Sequence, residues 1–341
     1  MWRNALETKF LTAILRSSAI ACGALLVIST LSAQDVAWEL GRTIDDQPDL
    51  QGVWANNTIT PIERPEAFAD KEFLTDEDIK FLKQRVVDIA EEDGDALFGG
   101  GVLSAALTGD TVSYDPSTGN YDQSWLADRS VHRRTSQITD PPSGKYPSRT
   151  EEAIAMGNAA AQRRIDHPAD SWLDRPLTER CISYGAPYLG SGYNSYWQIV
   201  QSKNHVVIVQ EMIHDVRVIP LIEKFTLDES IKLWHGDSRG YWDGDTLVIE
   251  TANYSDESGY GPKSSIKHNV EYLTRISEKE LRYEIITNDP GVFAAPYTRE
   301  IVFDHSPDPI YEYACHEGNY GMEYILSGHR AEERFALEEE N

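Results

Sequence analysis

The spacing of apolar residues changes character along this chain, from a helical period in the first half to alternation in the second. In the first half, Phe81, Leu82, Val86 and Ile89 recur at the spacing of one helix face. Thr75 precedes them as an N-cap, and Asp78 stands where a capping-box acid belongs. Thr150-Glu151-Glu152 opens a second predicted helix, Ala-rich and running to Ile165. Between the two, residues 94–122 are rich in Gly, Ser and Asp and read as a long loop, with Gly99-Gly100-Gly101 as a flexible stretch. Pro141, Pro142 and Pro147 mark another loop. The helical part thus covers about residues 70–170. Ahead of it, Asp49 to Trp54 reads as a strand, followed by the proline-bearing segment Thr60 to Pro65.

From Tyr193 the pattern is that of strands. Tyr196 to Val200 and His205 to Ile219 are β-branched runs joined by Ser202-Lys203-Asn204. Ser238 to Trp242 and Asp245 to Thr251 flank Asp243-Gly244, the pair favoured in a type I′ turn. Glu271 to Ile276 and Leu281 to Thr287 form a third hairpin; Arg299 to Phe303 and Ile310 to Ala314 complete the series. About eight strands at hairpin spacing predict a mainly β (α+β) chain, an antiparallel barrel-like meander or sandwich with N-terminal helices and long loops. Residues 330–340 read as a charged terminal helix or tail.

The first segment changes the picture of where this domain works. Arg3, Lys9 and Arg16 face a single acid, Glu7; the apolar stretch Ala19 to Leu31 follows and closes on Leu31-Ser32-Ala33. This is the order of a secretory signal, so residues 1–33 are expected to be removed, leaving a single secreted or periplasmic domain, 34–341. A membrane anchor would need ~20 apolar residues. The chain carries a formal charge of −25, and the first 33 residues are net positive by two, so the mature part stands at about −27. Such a field repels nucleic acid and anionic lipid and could attract cations, although a solvated acidic surface explains it as well; the expected partner, a small-molecule ligand or substrate, follows from the pocket of a barrel-like domain. Cys181 and Cys315 remain after export, and an oxidising compartment predicts a disulfide between them. A reactive thiol is the alternative, with His316 beside Cys315 its one supporting neighbour.

Several signatures of known chemistry are missing: there is no Gly-x-Ser-x-Gly, Cys-x-x-Cys, His-Glu-x-x-His or Walker loop. No organic cofactor and no metal are expected. Asp115 to Asp122 lacks the ligand spacing of a calcium loop and reads as a turn. Taken as one strand, 205–219 is mostly apolar with ionisable groups gathered at its end, placing Glu211, Asp215 and Arg217 on one face and His214 on the other. These either line a pocket mouth or form a buried ion pair near a strand end. His316-Glu317, tied down by Cys315, makes a general acid/base element only within a turn. The candidate catalytic set is therefore His214, His316, Glu211, Asp215 and Glu317. Arg217 and Arg239 are candidates to hold an anion. Tyr193 and Trp197, in a cluster with Tyr184, Tyr188 and Tyr196, either line an aromatic pocket or pack the core.

A Gly-x-Trp strand (Gly52-Val53-Trp54) ahead of an antiparallel meander resembles lipocalin-like barrels in architecture. A resemblance covering more of the chain rests on Leu50-Gln51-Gly52-Val53-Trp54, Arg134-Thr135-Ser136-Gln137-Ile138, Gln210-Glu211-Met212-Ile213-His214-Asp215, Gly236-Asp237-Ser238-Arg239-Gly240, Trp242-Asp243-Gly244-Asp245-Thr246 and Tyr311-Glu312-Tyr313-Ala314-Cys315-His316-Glu317-Gly318-Asn319. These strings resemble a family of exported bacterial proteins of unknown function. The resemblance implies export and one β-rich unit, and transfers no catalytic residue. Two functions lead: cofactor-independent acid/base chemistry (hydrolase, lyase or isomerase) on a small apolar or aromatic molecule, or carriage of such a molecule without chemistry; a metal-dependent hydrolase is a third, should His214 and His316 converge with an acid.

Overall fold

The computed structural model describes residues 38–91, 97, 100–108, 128–225, 227–257 and 264–339. The expected signal peptide and the Asp115 to Asp122 turn lie outside these residues. Leu40–Asn341 form one compact unit. In chain order its main elements are β1 (Gly52–Ala55), α1 (Asp76–Glu91), α2 (Gly100–Thr108), β2 (Ile138–Asp140), α3 (Glu151–Asp166), β3 (Tyr196–Ser202), β4 (His205–Gln210), β5 (Val216–Pro220), β6 (Asp237–Asp243), β7 (Thr246–Ala252), β8 (His268–Arg275), β9 (Glu280–Asn288), β10 (Tyr297–Ser306) and α4 (Gly321–Glu339). Among the described residues no helix is long and apolar enough to cross a membrane.

The strands make one sheet in the order β5-β4-β3-β1-β10-β9-β8-β7-β6, with β2 pairing β10 beside this path. All its ladders are antiparallel. The sheet curls, and its two edges approach at a single bridge, Leu221 to Gly240. A Cβ on Gly240 would lie 3.0 Å from the Ile219 side chain and 3.2 Å from that of Leu221, so glycine is what lets the edges come this close. No ladder joins β5 to β6, and the sheet is not a closed barrel.

The inner face is graded. Trp54, Trp197, Ile199, Leu247, Leu273, Leu281, Tyr283 and Phe303 form a buried apolar body. Farther along the same strands the inward positions turn polar: Gln210, Arg217, Thr251, Asn269, Glu271 and Thr287 are all buried. Residues 183–190 cross this polar mouth. They are held by the Tyr188 N–H on Gln210 Oε1 (2.6 Å) and by the Trp197 indole N–H on the Tyr188 carbonyl (3.2 Å).

Both predicted helices form. Thr75 and Asp78 exchange hydrogen bonds at the start of α1, Thr75 N–H to Asp78 Oδ2 (2.7 Å) and Asp78 N–H to Thr75 Oγ1 (3.2 Å). Thr150 caps α3 through the Ala153 N–H (3.1 Å). Four expectations are corrected. The loop assigned to 94–122 contains α2, whose Leu103, Ala105 and Ala106 bury against Leu82 and Ile89 of α1, a satellite core that outweighs the helix-breaking glycines at its start. His205 to Ile219 is two strands, because the chain reverses after Gln210 and β5 pairs back on β4. Ile310 to Ala314 is not a strand: it has no partner in the sheet. The β6–β7 turn is centred on Gly244-Asp245, one residue later than the pattern suggested, since Asp243 still pairs with Thr246 and the positive φ (59°) falls on Gly244.

Candidate small-molecule site around Glu211

The reversal after β4 builds the site. Glu211 donates its N–H to the Tyr196 carbonyl (2.9 Å), and Gln210 donates to the Asp215 carbonyl (2.8 Å), pinning both ends of a five-residue turn. Inside it, Ile213 and His214 take left-handed φ values of 52° and 47°. For a β-branched residue this is strained backbone, held by the burial of Met212 and Ile213 beneath the turn. The result sends the Glu211 side chain into a pocket of about 780 Å³. The start of β3 makes one wall, the segment 306–315 the second, and the first turns of α4 the third. The Cys181–Cys315 disulfide, Cα atoms 5.7 Å apart, ties that second wall to the chain ahead of β3, as the cysteine count predicted.

Glu211 is only 5% exposed. Its Oε1 accepts the Tyr311 N–H (3.1 Å); Oε2 is buried and has no hydrogen-bond partner among the described residues. Burial pushes its carboxyl above the ordinary glutamate value, while the Tyr311 N–H and the Asn194 amide pull the other way and less strongly. Tyr193, Tyr196, Tyr311 and Tyr313 line the pocket with Glu211. Asp308 and Glu312 add acid at its rim; Glu179 is engaged by Arg175 at 2.7 and 2.9 Å. No lysine, arginine or histidine among the described residues lines the cavity. Burial, and the Glu211 charge after it, raise the Tyr196 phenol above its ordinary value.

The other candidates do not join Glu211, Tyr193 and Cys315 there. His214, His316 and Glu317 are exposed. Trp197 is core, 1% exposed and packed on Tyr283 and Phe303 at ring separations of 5.3 and 4.8 Å. Arg217 lies in the sheet interior, bound to Glu271. Arg239 braces the outer edge, paired with Glu250 at 2.8 Å and lying over the Phe225 ring. Asp215 accepts from Ser183 Oγ (2.9 Å) and faces His235 Nε2 (3.3 Å), while Ser183 Oγ also lies 3.1 Å from His235 Nε2. These are the residue types of a nucleophilic triad, but Ser and Asp meet the same imidazole nitrogen and bond each other directly. A proton relay needs them on opposite nitrogens, so this group braces the start of β5 against 183–185. Asp170, His329 and Glu333 approach one another on the surface, where Arg330 holds Glu333 (2.7 Å) and the Asp170 carbonyl (2.8 Å), fastening α4 to the loop after α3.

Sequence reasoning missed Tyr311, Tyr313 and Asp308 as pocket residues because Tyr311-Glu312-Tyr313 alternates like a strand. The available signal was Pro309, two residues ahead of Tyr311, which disfavours pairing in a sheet. No family model, no curated protein and no solved structure matches this chain.

Proposed function

We propose that this is an exported small-molecule-binding protein whose principal pocket takes an organic cation, an amine or quaternary ammonium carrying an apolar or aromatic body. The observation that supports it is Glu211: a buried carboxylate oxygen without a donor, among tyrosines and acids, in a cavity that offers no cation of its own. Leaving a buried charge unpaired is costly, and a cationic ligand supplies the missing partner. Tyrosine faces attract the same cation, worth ~0.5–2 kcal/mol each when desolvated. The chain's negative field draws such ligands in. Should the bound molecule also be turned over, Glu211 is the group equipped to move a proton there, its raised pKa bringing it closer to neutral pH; the two histidines stand outside.

The test is calorimetric titration with benzyltrimethylammonium, with neutral benzyl alcohol as control. Saturable binding of the cation alone, weakened ~10-fold or more in Glu211→Gln, is the expected result. Equal affinity for cation and alcohol, or an unchanged affinity in Glu211→Gln, would sink the proposal.

A further inference from the structure

The polar mouth of the sheet opens on a second cleft, of about 850 Å³, that shares no lining residue with the Glu211 pocket. Its chemistry is opposite. One wall is the aromatic group Tyr146, Phe293 and Tyr297, with ring centres 5.0–5.4 Å apart. The Tyr184–Tyr188 pair, 5.4 Å apart, lines the same cleft. Five aromatic rings thus line one cleft, a lining suited to an aromatic guest.

The floor comes from the start of β8 and the end of β9, which the register His268 to Asn288 sets side by side. It carries Lys267, Asn269 and Asp289. The Lys267 ammonium lies 3.9 Å from the centre of the Tyr254 ring and forms no hydrogen bond or ion pair among the described residues. Asn269, 3% exposed, donates its amide N–H to Tyr254 Oη (3.0 Å), which leaves its Oδ1 buried without a donor. Asp289, 7% exposed, has its Oδ1 in the same condition, and Arg299 Nε lacks an acceptor. Each such orphan is costly while nothing fills it. Arg149, Lys267 and Arg299 here outnumber Glu63 and Asp289, a locally positive cleft on a chain of net charge −25.

These requirements converge on one ligand class. An anion meets Lys267 and Arg299, hydroxyl donors meet Asn269 and Asp289, and an aromatic ring packs against the aromatic lining. We infer that the mouth cleft is a second, independent binding site, for a hydroxylated aromatic acid. Burial also holds the Lys267 ammonium below the ordinary lysine value, with Asp289 and Glu271 opposing that shift and Arg217 adding to it. An incoming carboxylate would favour the charged form.

Calorimetric titration of the purified protein with 4-hydroxybenzoate, benzoate and benzyl alcohol tests this. We expect saturable binding of 4-hydroxybenzoate, weaker binding of benzoate because the hydroxyl donor is missing, and none of the alcohol. Lys267→Met should weaken 4-hydroxybenzoate ~10-fold or more, and Lys267→Gln should do the same if the methionine variant fails to fold. Glu211→Gln should leave it unchanged, which separates this site from the one proposed above. No saturable binding up to ~10 mM, an unaltered affinity in a folded Lys267 variant, or loss in Glu211→Gln instead would overturn the assignment; the first of these means that water alone satisfies the orphaned groups.

Discussion

Arg217 of β5 grips Glu271 of β8 across the hollow of the sheet, with hydrogen bonds of 2.6 and 2.9 Å between groups almost wholly shielded from solvent. The two strands stand at positions one and seven of the nine-strand path, so the pair is a tie through the interior and not a cross-strand neighbour. Thr251 Oγ1 accepts from the same guanidinium (3.1 Å), and Tyr283 Oη donates to Glu271 Oε2 (3.0 Å). Burial alone would lower the arginine's pKa; the Glu271 carboxylate outweighs this and leaves it raised. The pair ties β5 to β8 across the interior, with Arg217 Nε the one guanidinium nitrogen left buried without an acceptor among the described residues.

Breaking that tie should be expensive. Glu271→Ala leaves an arginine charge buried without its partner, and such losses run ~3–5 kcal/mol. Replacing both residues, Arg217→Met with Glu271→Leu, removes the desolvation burden together with the attraction and should recover most of the stability. Urea unfolding of the three proteins checks this; a single variant as stable as wild type would show the tie to be dispensable.

Gly240 makes a sharper test of the curl. Its place at the Leu221 bridge has room for a hydrogen but not for a branched side chain, which would meet Ile219 and Leu221 at once. Gly240→Val should cost ~1–3 kcal/mol by overpacking, although valine suits a strand better than glycine. Unfolding midpoints decide: if the sheet edges were in truth apart, valine would be neutral or stabilising.

Why some of this was legible and some not follows from how far each feature reaches along the chain. Hairpins are local: Ser202-Lys203-Asn204 and the Gly244 turn announce themselves between β-branched runs. The disulfide needed only two cysteines and the expectation of export. The reversal at Glu211-Met212-Ile213-His214 escaped because it contains no glycine, proline or asparagine, and Ile213 accepts a left-handed backbone that its side chain disfavours. A run read as one strand then assigned faces wrongly: His214 is exposed because the chain turns there, while Arg217 is buried against Glu271 and Glu211 lines the pocket. Lys267, Asn269 and Asp289 carried no signal at all, since only the β8–β9 register brings them together.

The Cys181–Cys315 bond closes a separation of 134 residues. Chain entropy assigns such a loop up to ~5 kcal/mol. Cys181→Ser with Cys315→Ser should therefore lower the unfolding midpoint, and it should also loosen the 311–315 wall, weakening benzyltrimethylammonium binding while 4-hydroxybenzoate at the mouth is retained. Equal loss of both ligands would point to general unfolding instead of a local effect.

The two exposed histidines give a clean negative. His214→Ala and His316→Ala should each leave the binding of both probes within ~2-fold of wild type, as surface substitutions usually do. His214→Gly is the more telling variant at the strained turn: glycine adopts the left-handed backbone without a Cβ penalty, so it should be at least as stable as His214→Ala. A histidine variant that abolished ligand binding while remaining folded would return that residue to the site.

The last expectation concerns pH and turns on the sign of one shift. In the unfolded chain Glu211 titrates near its ordinary 4.5; in the fold, burial raises it. Between those two values the native state holds a proton that the unfolded state has released, so native stability falls as pH rises through this window. Glu211→Gln lacks the ionisation and should be more stable than wild type above the window, with the difference vanishing below pH 4.5. Glu284 is shifted upward as well, so the comparison between wild type and Glu211→Gln, not the wild-type profile alone, isolates the group. Ligand binding should show the complementary slope. An organic cation competes with the proton for Oε2, so its affinity should climb up to ~10-fold per pH unit below the raised value and level off above it. Benzyltrimethylammonium carries no titratable proton, which leaves the protein as the source of that slope. A flat affinity from pH 4 to 8, in a protein that stays folded throughout, would mean that the cation does not meet Glu211.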